Sequence, residues 1–380
     1  MRVVILGAGP AGLYLGYLLK RRDRGADIRI FEQNPAGATF GFGVVFSDRA
    51  LEFLRDDDPE TFAAITPAME SWEDITLVHR GERIAIDGVG FAAVGRLALL
   101  RLLQERARSV GLKPVYERAV TGLEDFADAD LLVGADGVNS LVRRLYACEF
   151  GATVGHLRNH FAWFGTTKPF ATLTQTFCET PLGHFNAHHY RYAPDMSTFI
   201  VEVDAATFER AGFERMNEAE AKAICEKVFA EALGGHRLIS NNSIWRRFPL
   251  VRNDRWSCGH RVLLGDALHT AHFSIGSGTR LAMEDAIALD KVLAGNPRDV
   301  PAALSAYERA RRPVLEKLVA GANASAAWYE HFAEHMRLDP IDFAMSYATR
   351  SGRVDRKRLR EVSPRFAERY ERERPLAASG

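Results

Sequence analysis

Apolar positions follow two rhythms along this chain. Val3-Val4-Ile5-Leu6 and Ile28-Arg29-Ile30-Phe31 are short, β-branched runs suited to strands buried on both faces of a parallel sheet. Between them, Leu13 to Lys20 carries apolar residues at helical spacing and turns basic at Lys20-Arg21-Arg22, as a helix C-terminus prefers. The order strand, helix, strand is one βαβ unit. Arg96 to Val110 predicts an amphipathic helix, and Asp130-Leu131-Leu132-Val133 and Arg261-Val262-Leu263-Leu264 predict two further buried strands. Elsewhere the texture becomes alternating and aromatic-rich, around Ile75–Val78, Phe161–Thr167, Leu173–Phe177, His184–Tyr192 and Thr198–Val203. These segments predict an antiparallel sheet inserted into the α/β unit. From Pro301 onward the pattern is helical, and the charge-dense Arg353 to Arg374 predicts a solvated helix. The fold class expected is therefore α/β, Rossmann-like, with an inserted antiparallel sheet and C-terminal helices.

The first strand ends in Gly7-Ala8-Gly9-Pro10-Ala11-Gly12, and Glu32 closes the second strand twenty residues beyond Gly12. Gly7 permits a tight turn, Gly9 lets backbone N–H groups approach a pyrophosphate, and Gly12 allows close helix–strand packing. The helix N-terminus favours negative charge, and an acid at Glu32 suits a ribose hydroxyl. A glycine-rich turn without a nucleotide is the alternative. The two later strands end in Gly134-Ala135-Asp136-Gly137 and Gly265-Asp266-Ala267, delivering Asp136 and Asp266 to the sheet's carboxyl edge, where such folds bind ligands. Each aspartate could equally cap the helix that follows.

Composition narrows the function classes. Lys plus Arg equals Asp plus Glu, 49 against 49, so no global field favours nucleic acid or an anionic membrane. Cys148, Cys178, Cys225 and Cys258 are isolated, without the spacing of a zinc ribbon or a disulfide framework. The apolar run at the N-terminus is too short for a secretory signal, and no segment approaches the ~20 apolar residues of a membrane span. A cytoplasmic protein is expected. His184, His188 and His189 fall on a predicted strand, and His331 with His335 lack the glutamate arrangement of a zincin, so no metal site is expected. No Gly-x-Ser-x-Gly elbow is present.

Three segments together resemble the group A flavin-dependent aromatic hydroxylases over most of the chain. They are Gly7 to Gly12, Gly134-Ala135-Asp136-Gly137-Val138-Asn139-Ser140 through Arg143, and Gly265-Asp266-Ala267-Leu268-His269 through Gly276-Ser277-Gly278 and Glu284-Asp285-Ala286. Finer likeness, in Gly41 to Ser47, Met196 to Glu202 and His272 to Thr279, points to the salicylyl-CoA 5-hydroxylase and 2-aminobenzoyl-CoA monooxygenase branch. The tryptophan-derived hydroxylase of violacein biosynthesis shares several of these segments. The chain ends where the fused aminobenzoyl-CoA enzymes continue into a reductase-type domain, so that second activity is not expected.

The resemblance implies FAD as cofactor and NADH or NADPH as transient reductant. It places Gly7, Gly9, Pro10, Ala11, Gly12, Glu32, Gln33, Gly43, Val44 and Val45 at the FAD. It does the same for Asp136, Gly137, Gly265, Asp266, Gly276, Ser277 and Gly278, and it matches Arg96 to the arginine meeting the FAD phosphates. It divides the chain into an FAD-binding domain (1–70, 91–150, 246–320), a substrate-binding sheet (71–90, 151–245) and a C-terminal helical segment (321–380). The implied reaction uses O2 through a flavin hydroperoxide and hydroxylates an aromatic acyl-CoA para to its hydroxyl, with salicylyl-CoA or 4-hydroxybenzoyl-CoA giving gentisyl-CoA. Candidate substrate-side residues are His184, His188, His189 and Tyr190 on the inserted sheet, together with His272 and Phe273; a histidine there could accept a phenolic proton near neutral pH. Phe273 stands where most aromatic hydroxylases have proline. Arg158, Lys168, Arg191, Arg246 and Arg247 are the cations available for CoA phosphates. A monomer or homodimer is expected. A tryptophan- or indole-type hydroxylase and a non-enzymatic FAD-binding protein remain as alternatives.

Overall fold

The computed structural model describes residues 1–47 and 51–375. Among these described residues, sixteen strands form three sheets. In the first, β1 (Arg2–Leu6) lies between β2 (Asp27–Phe31) and β8 (Leu131–Gly134), and β16 (Arg261–Leu263) extends the parallel set beyond β8. The short β15 (Ser257–Cys258) closes the edge as an antiparallel partner of β16. Val3 to Leu6 and all of β8 are buried, because helices cover both faces. The helix Pro10–Arg22 is buried from Ala11 through Leu19, packed against the helices Arg96–Ser109 and Gly278–Gly295.

The second sheet runs β13 (Leu238–Ile239), β9 (Ala152–Thr166), β12 (Met196–Val203), β11 (Gly183–Ala193), β10 (Leu173–Thr180), β5 (Ile75–His79) and β6 (Glu82–Ile86), with β14 (Arg246–Asn253) also paired to β9. Every pairing is antiparallel except that of β10 with β5, which is parallel. This exception arises because β5 comes from a distant part of the chain rather than from a hairpin. A small third sheet, β3 (Gly43–Ser47), β7 (Phe91–Gly95) and β4 (Glu70–Trp72), joins the other two. Gly43 donates its N–H to Thr198 Oγ1 at 2.8 Å, while its carbonyl accepts the Tyr190 hydroxyl at 2.9 Å. A Cβ on Gly43 would lie 2.6 Å from Tyr192, so only glycine lets β3 dock this closely.

One face of the large sheet buries Phe164, Phe185 and Phe199 under the helices between Ala205 and Leu233, which contribute Phe229 to the same core. The β5–β6 end packs instead on the C-terminal helices through Phe177, Trp328, Phe343 and Phe366. The helix Val300–Glu330 runs unbroken past residue 321. The segment expected as one solvated helix forms two, Arg356–Val362 and Pro364–Glu373, and neither is wholly solvated. Pro364 has no N–H to continue the first helix, and Leu359, Phe366 and Ala367 are buried. Asp87 accepts the Phe366 N–H at 2.8 Å, which fixes the second helix to β6.

Candidate active site

The glycine turn, the carboxyl ends of β8 and β16 and the inner face of the large sheet enclose a cleft of about 1240 Å³. At its nucleotide end, Ala8 N–H donates to Glu32 Oε2 at 3.0 Å, and Asn34 donates twice to Oε1, at 2.9 and 2.7 Å. The carboxylate is thereby aimed along the cleft floor. Gly7 has φ +99°, and a Cβ there would meet the Ala135 carbonyl oxygen at 2.2 Å. Gly12 is buried off the cleft; its Cβ would meet the Gly7 carbonyl oxygen at 2.0 Å, which is the close packing that its place in the motif predicts. Gly9 and Gly278, by contrast, face open space, each at the start of a helix, Pro10–Arg22 and Gly278–Gly295.

Gln33, Pro10, Ala11, Val44, Val45, Gly137 and Gly276 also line the cleft, as does Ser277. Gly43 and Gly265 stand behind the wall, Gly265 at φ +55° between Ala11 and Ala282. Arg96 enters the cleft from the start of its helix and has no carboxylate within ion-pair distance among the described residues. Burial lowers its pKa, which Asp266 partly offsets. Asp266 opens into the cleft from a 3₁₀ turn, with protein on its other sides; this desolvation raises its carboxyl. Asp136 accepts the Leu141 N–H at 2.7 Å through Oδ2, while its buried Oδ1 has no protein partner. An unpaired cation, an orphaned carboxylate oxygen and two helix N-termini without side chains in the way fit a dinucleotide pyrophosphate and its ribose and ribityl hydroxyls.

Behind the turn, Asp285 is fully buried and accepts from His269 Nε2 at 2.7 Å, Arg311 Nε at 2.8 Å and the Gly265 N–H at 3.2 Å. Burial alone would raise this carboxyl, but His269 and Arg311 outweigh it and hold it below the usual range. His269 thus supports the Asp266 turn.

The far end of the cleft is aromatic. Phe161, Phe248 and Phe273 form one wall, with ring centroids 5.0 Å (Phe161–Phe273) and 6.0 Å (Phe248–Phe273) apart, and Tyr190 and Tyr347 also line the cleft. His188 reaches the cleft, its ring edge-on to Phe273 at 5.1 Å. Desolvation depresses its pKa to about 3, so the imidazole is neutral. His272 is buried beside Phe273 and binds Ser274 Oγ through Nδ1 at 2.8 Å; burial takes it to about 4.

The other two histidines are not at this site. Alternation turns His189 to the opposite face of the sheet, between Phe170 and Phe199. His184 shares the parity of His188 but lies at the start of β11, in a second cavity of about 1360 Å³ beside the helix Val300–Glu330. Of the five candidate cations, Arg246 and Arg247 line the cleft, exposed and without an acidic partner among the described residues. Arg158 borders the second cavity, Arg191 pairs with Glu70 at 2.9 Å, and Lys168 sits over Phe170. Gln175, Glu202, Tyr347 and Arg350 also belong to this region without standing out in the sequence; a glutamate within the apolar run Phe199-Ile200-Val201-Glu202-Val203 is the kind of signal that marks a buried polar group.

Comparison with known proteins agrees with this architecture. Residues 101–322 match the model of an FAD binding domain, and residues 5–41 match an NAD(P)-binding Rossmann-like domain. The chain is 43% identical to a salicyloyl-CoA 5-hydroxylase of Streptomyces sp over 361 residues, covering 92% of this chain and 70% of that one. It is 36% identical to a 3-hydroxy-4-methyl-anthranilyl-[aryl-carrier protein] 5-monooxygenase of Streptosporangium sibiricum, covering 93% and 95%. Among solved structures, PqsL of P. aeruginosa in complex with 2-aminobenzoylacetate superposes with a TM-score of 0.68 at 22% identity, over 88% of this chain and 98% of that one. The chain belongs to the FAD-dependent aromatic monooxygenases. It is an enzyme that uses FAD with NAD(P)H as reductant, so the non-enzymatic reading falls away. No helix among the described residues is long and apolar enough to cross a membrane.

Proposed function

We propose that this monooxygenase hydroxylates an aromatic ring presented as its CoA thioester, para to a phenolic hydroxyl, with salicyloyl-CoA as the leading substrate. The observation that carries this reading is the 43% identity to a salicyloyl-CoA 5-hydroxylase across 92% of the chain. The cleft supports it: Phe161, Phe248 and Phe273 give it an aromatic wall, and Arg246 and Arg247 line it too, two cations without an acidic partner among the described residues and suited to CoA phosphates. 4-Hydroxybenzoyl-CoA is the close variant; its hydroxyl activates the carbon bearing the thioester, so the product would require thioester migration.

In this reading Glu32 holds the FAD ribose, Arg96 and the two helix N-termini hold the pyrophosphate, and Asp266 holds the ribityl region. Asp136 borders both FAD and the visiting nicotinamide. FAD, once reduced by NAD(P)H, supplies the activation of O2 and the electrophilic oxygen. The chain's residues place the ring against Phe161, Phe248 and Phe273, exclude water and, through His188, take the phenolic proton so that the ring is electron-rich when oxygen arrives. Residues 71–90 and 151–245 serve as the substrate-binding part, and 1–70, 91–150 and 246–320 as the FAD-binding part.

The test is turnover of the FAD-loaded protein in air with NADH or NADPH, comparing salicyloyl-CoA, 4-hydroxybenzoyl-CoA, free salicylate and tryptophan. Stimulated cofactor oxidation with a product heavier by one oxygen from a thioester alone is expected. Turnover of tryptophan or a free acid, with no response to either thioester, overturns the CoA reading in favour of an indole-type or free-acid hydroxylase.

A further inference from the structure

Four neighbouring strands each contribute a polar side chain to a continuous row on the cleft face of the large sheet, and Asn186 on the same face of β11 also donates to Gln175 Oε1, at 3.5 Å. Gln175 on β10 is directly opposite His188 on β11, and Glu202 on β12 and Asn159 on β9 continue the row. All four are buried, with exposures of 2 to 4%. Such a row is costly unless its members are paired, and these four are. Tyr329 donates its hydroxyl to Gln175 Oε1 at 3.2 Å, which turns the Gln175 amide N–H towards His188 Nδ1, at 2.9 Å. His188 therefore carries its proton on Nε2 and donates it to Glu202 Oε2, at 3.3 Å. Asn159 Nδ2 donates to the other carboxylate oxygen at 2.9 Å and to the Tyr329 carbonyl at 2.7 Å.

We propose that Glu202 is the positioning residue behind His188 and the final acceptor of the proton that an aromatic substrate loses in the cleft. The inference rests on the reading of the substrate as a phenol. When the ring enters, its hydroxyl replaces the Gln175 amide at His188 Nδ1. The substrate O–H bond breaks and an Nδ1–H bond forms; the Nε2–H bond breaks and an O–H bond forms on Glu202. One proton enters the row and one leaves the imidazole, so His188 stays neutral with its tautomer reversed and Glu202 becomes a neutral acid. The charge ends on the substrate oxygen, as ring hydroxylation needs.

The surroundings favour this direction. The titratable and charged groups facing the pair are His272, Arg350 from the helix end at Pro340–Thr349, and Tyr329 from the helix Val300–Glu330. Desolvation raises the Glu202 carboxyl and lowers His188, so the proton is held better on the acid than as an imidazolium. Arg350 has no carboxylate partner among the described residues; it is spent on Ser325 Oγ and the Tyr347 and Ser274 carbonyls, and its charge disfavours an imidazolium while favouring an anion in the cleft.

The experiment uses the FAD-loaded enzyme without reductant, and titrates the absorbance of bound salicyloyl-CoA and bound free salicylate against pH. Infrared difference spectra on ligand binding read the carboxylic acid C=O band. The wild type is expected to ionise the bound phenol at a pH at least one unit below that of the free ligand and to gain a protonated-acid band. Glu202→Gln keeps the size and an oxygen that can accept from His188 while giving up the bond from Asn159, so a purely structural role predicts a change in stability or binding but none in the ionisation of the bound phenol. The proposal predicts that Glu202→Gln binds the ligand within about threefold of wild type, loses the acid band and returns the phenol to its free ionisation. A Glu202→Gln variant that still ionises the bound phenol as easily as wild type, or a wild type that eases ionisation of neither phenol, overturns it. Easier ionisation of free salicylate with no binding of the thioester leaves the relay standing and overturns the CoA reading alone.

Discussion

The carboxylate of Glu32 accepts the N–H of Ala8 at 3.0 Å, joining the end of one parallel strand to the glycine turn that follows its neighbour. The acid is held before any ligand arrives, with Asn34 fixing its second oxygen. In the proposed reading, Glu32→Ala removes a charge-assisted contact to the FAD ribose, worth about 1.5–3 kcal/mol. FAD affinity, measured by flavin fluorescence on titrating the apoprotein, is expected to fall about ten- to a hundredfold.

Gly9 and Gly12 separate binding from folding. A Cβ at Gly9 meets nothing within 4 Å, whereas one at Gly12 would come within 2.0 Å of the Gly7 carbonyl oxygen. Gly9→Ala is expected to keep the apoprotein melting temperature and lose FAD affinity. Gly12→Ala should destabilise the apoprotein itself by about 1–3 kcal/mol, read from its denaturant midpoint.

Asp285 carries three hydrogen bonds in full burial, and its removal strands His269 and Arg311. Asp285→Asn is expected to cost about 3–5 kcal/mol of stability and to loosen flavin binding through the Gly265 turn. Because the folded carboxyl lies below its ordinary 3.8, its stabilisation is full above that pH and is lost as pH falls through the lower folded value. Wild type should therefore lose its dependence on Asp285 only in strong acid, a difference visible in urea midpoints against pH.

His189 offers a control for the cleft histidine. Burial among Phe170 and Phe199 holds it neutral well below the ordinary 6.5, so below that pH the unfolded chain binds a proton that the folded one does not. Stability is lost as pH falls, at about 1.4 kcal/mol per pH unit for this one group. His189→Phe should flatten that slope and leave hydroxylation unchanged, because the side chain points away from the cleft.

Arg246 and Arg247 both line the cleft, and the Arg246 guanidinium lies 5.8 Å from the ring centroid of Phe40. Replacing both with Ala is expected to raise KM for a CoA thioester about tenfold or more and to weaken its salt dependence, with FAD content unchanged. Equal losses for free salicylate would show that these arginines act on something other than the CoA phosphates.

Much of this molecule was legible in residue order. The βαβ unit, the spacing of Gly7, Gly9, Gly12 and Glu32, and the two strands ending at Asp136 and Asp266 are local patterns, and local patterns survive without knowledge of contacts. The family likeness rests on the same short segments. Parity along β11 already separates His188 from His189, since alternate residues face opposite sides of a sheet.

Tertiary structure alone decided where along that strand the cleft would lie, and so why His188 and not His184 meets it. It also brought Gln175, Glu202 and Asn159 into one row with His188, and carried Tyr347 and Arg350 to the cleft from the far end of the chain. Those meetings depend on strand register and helix docking. They are set by burial summed over the whole core, and no single stretch of sequence contains that sum.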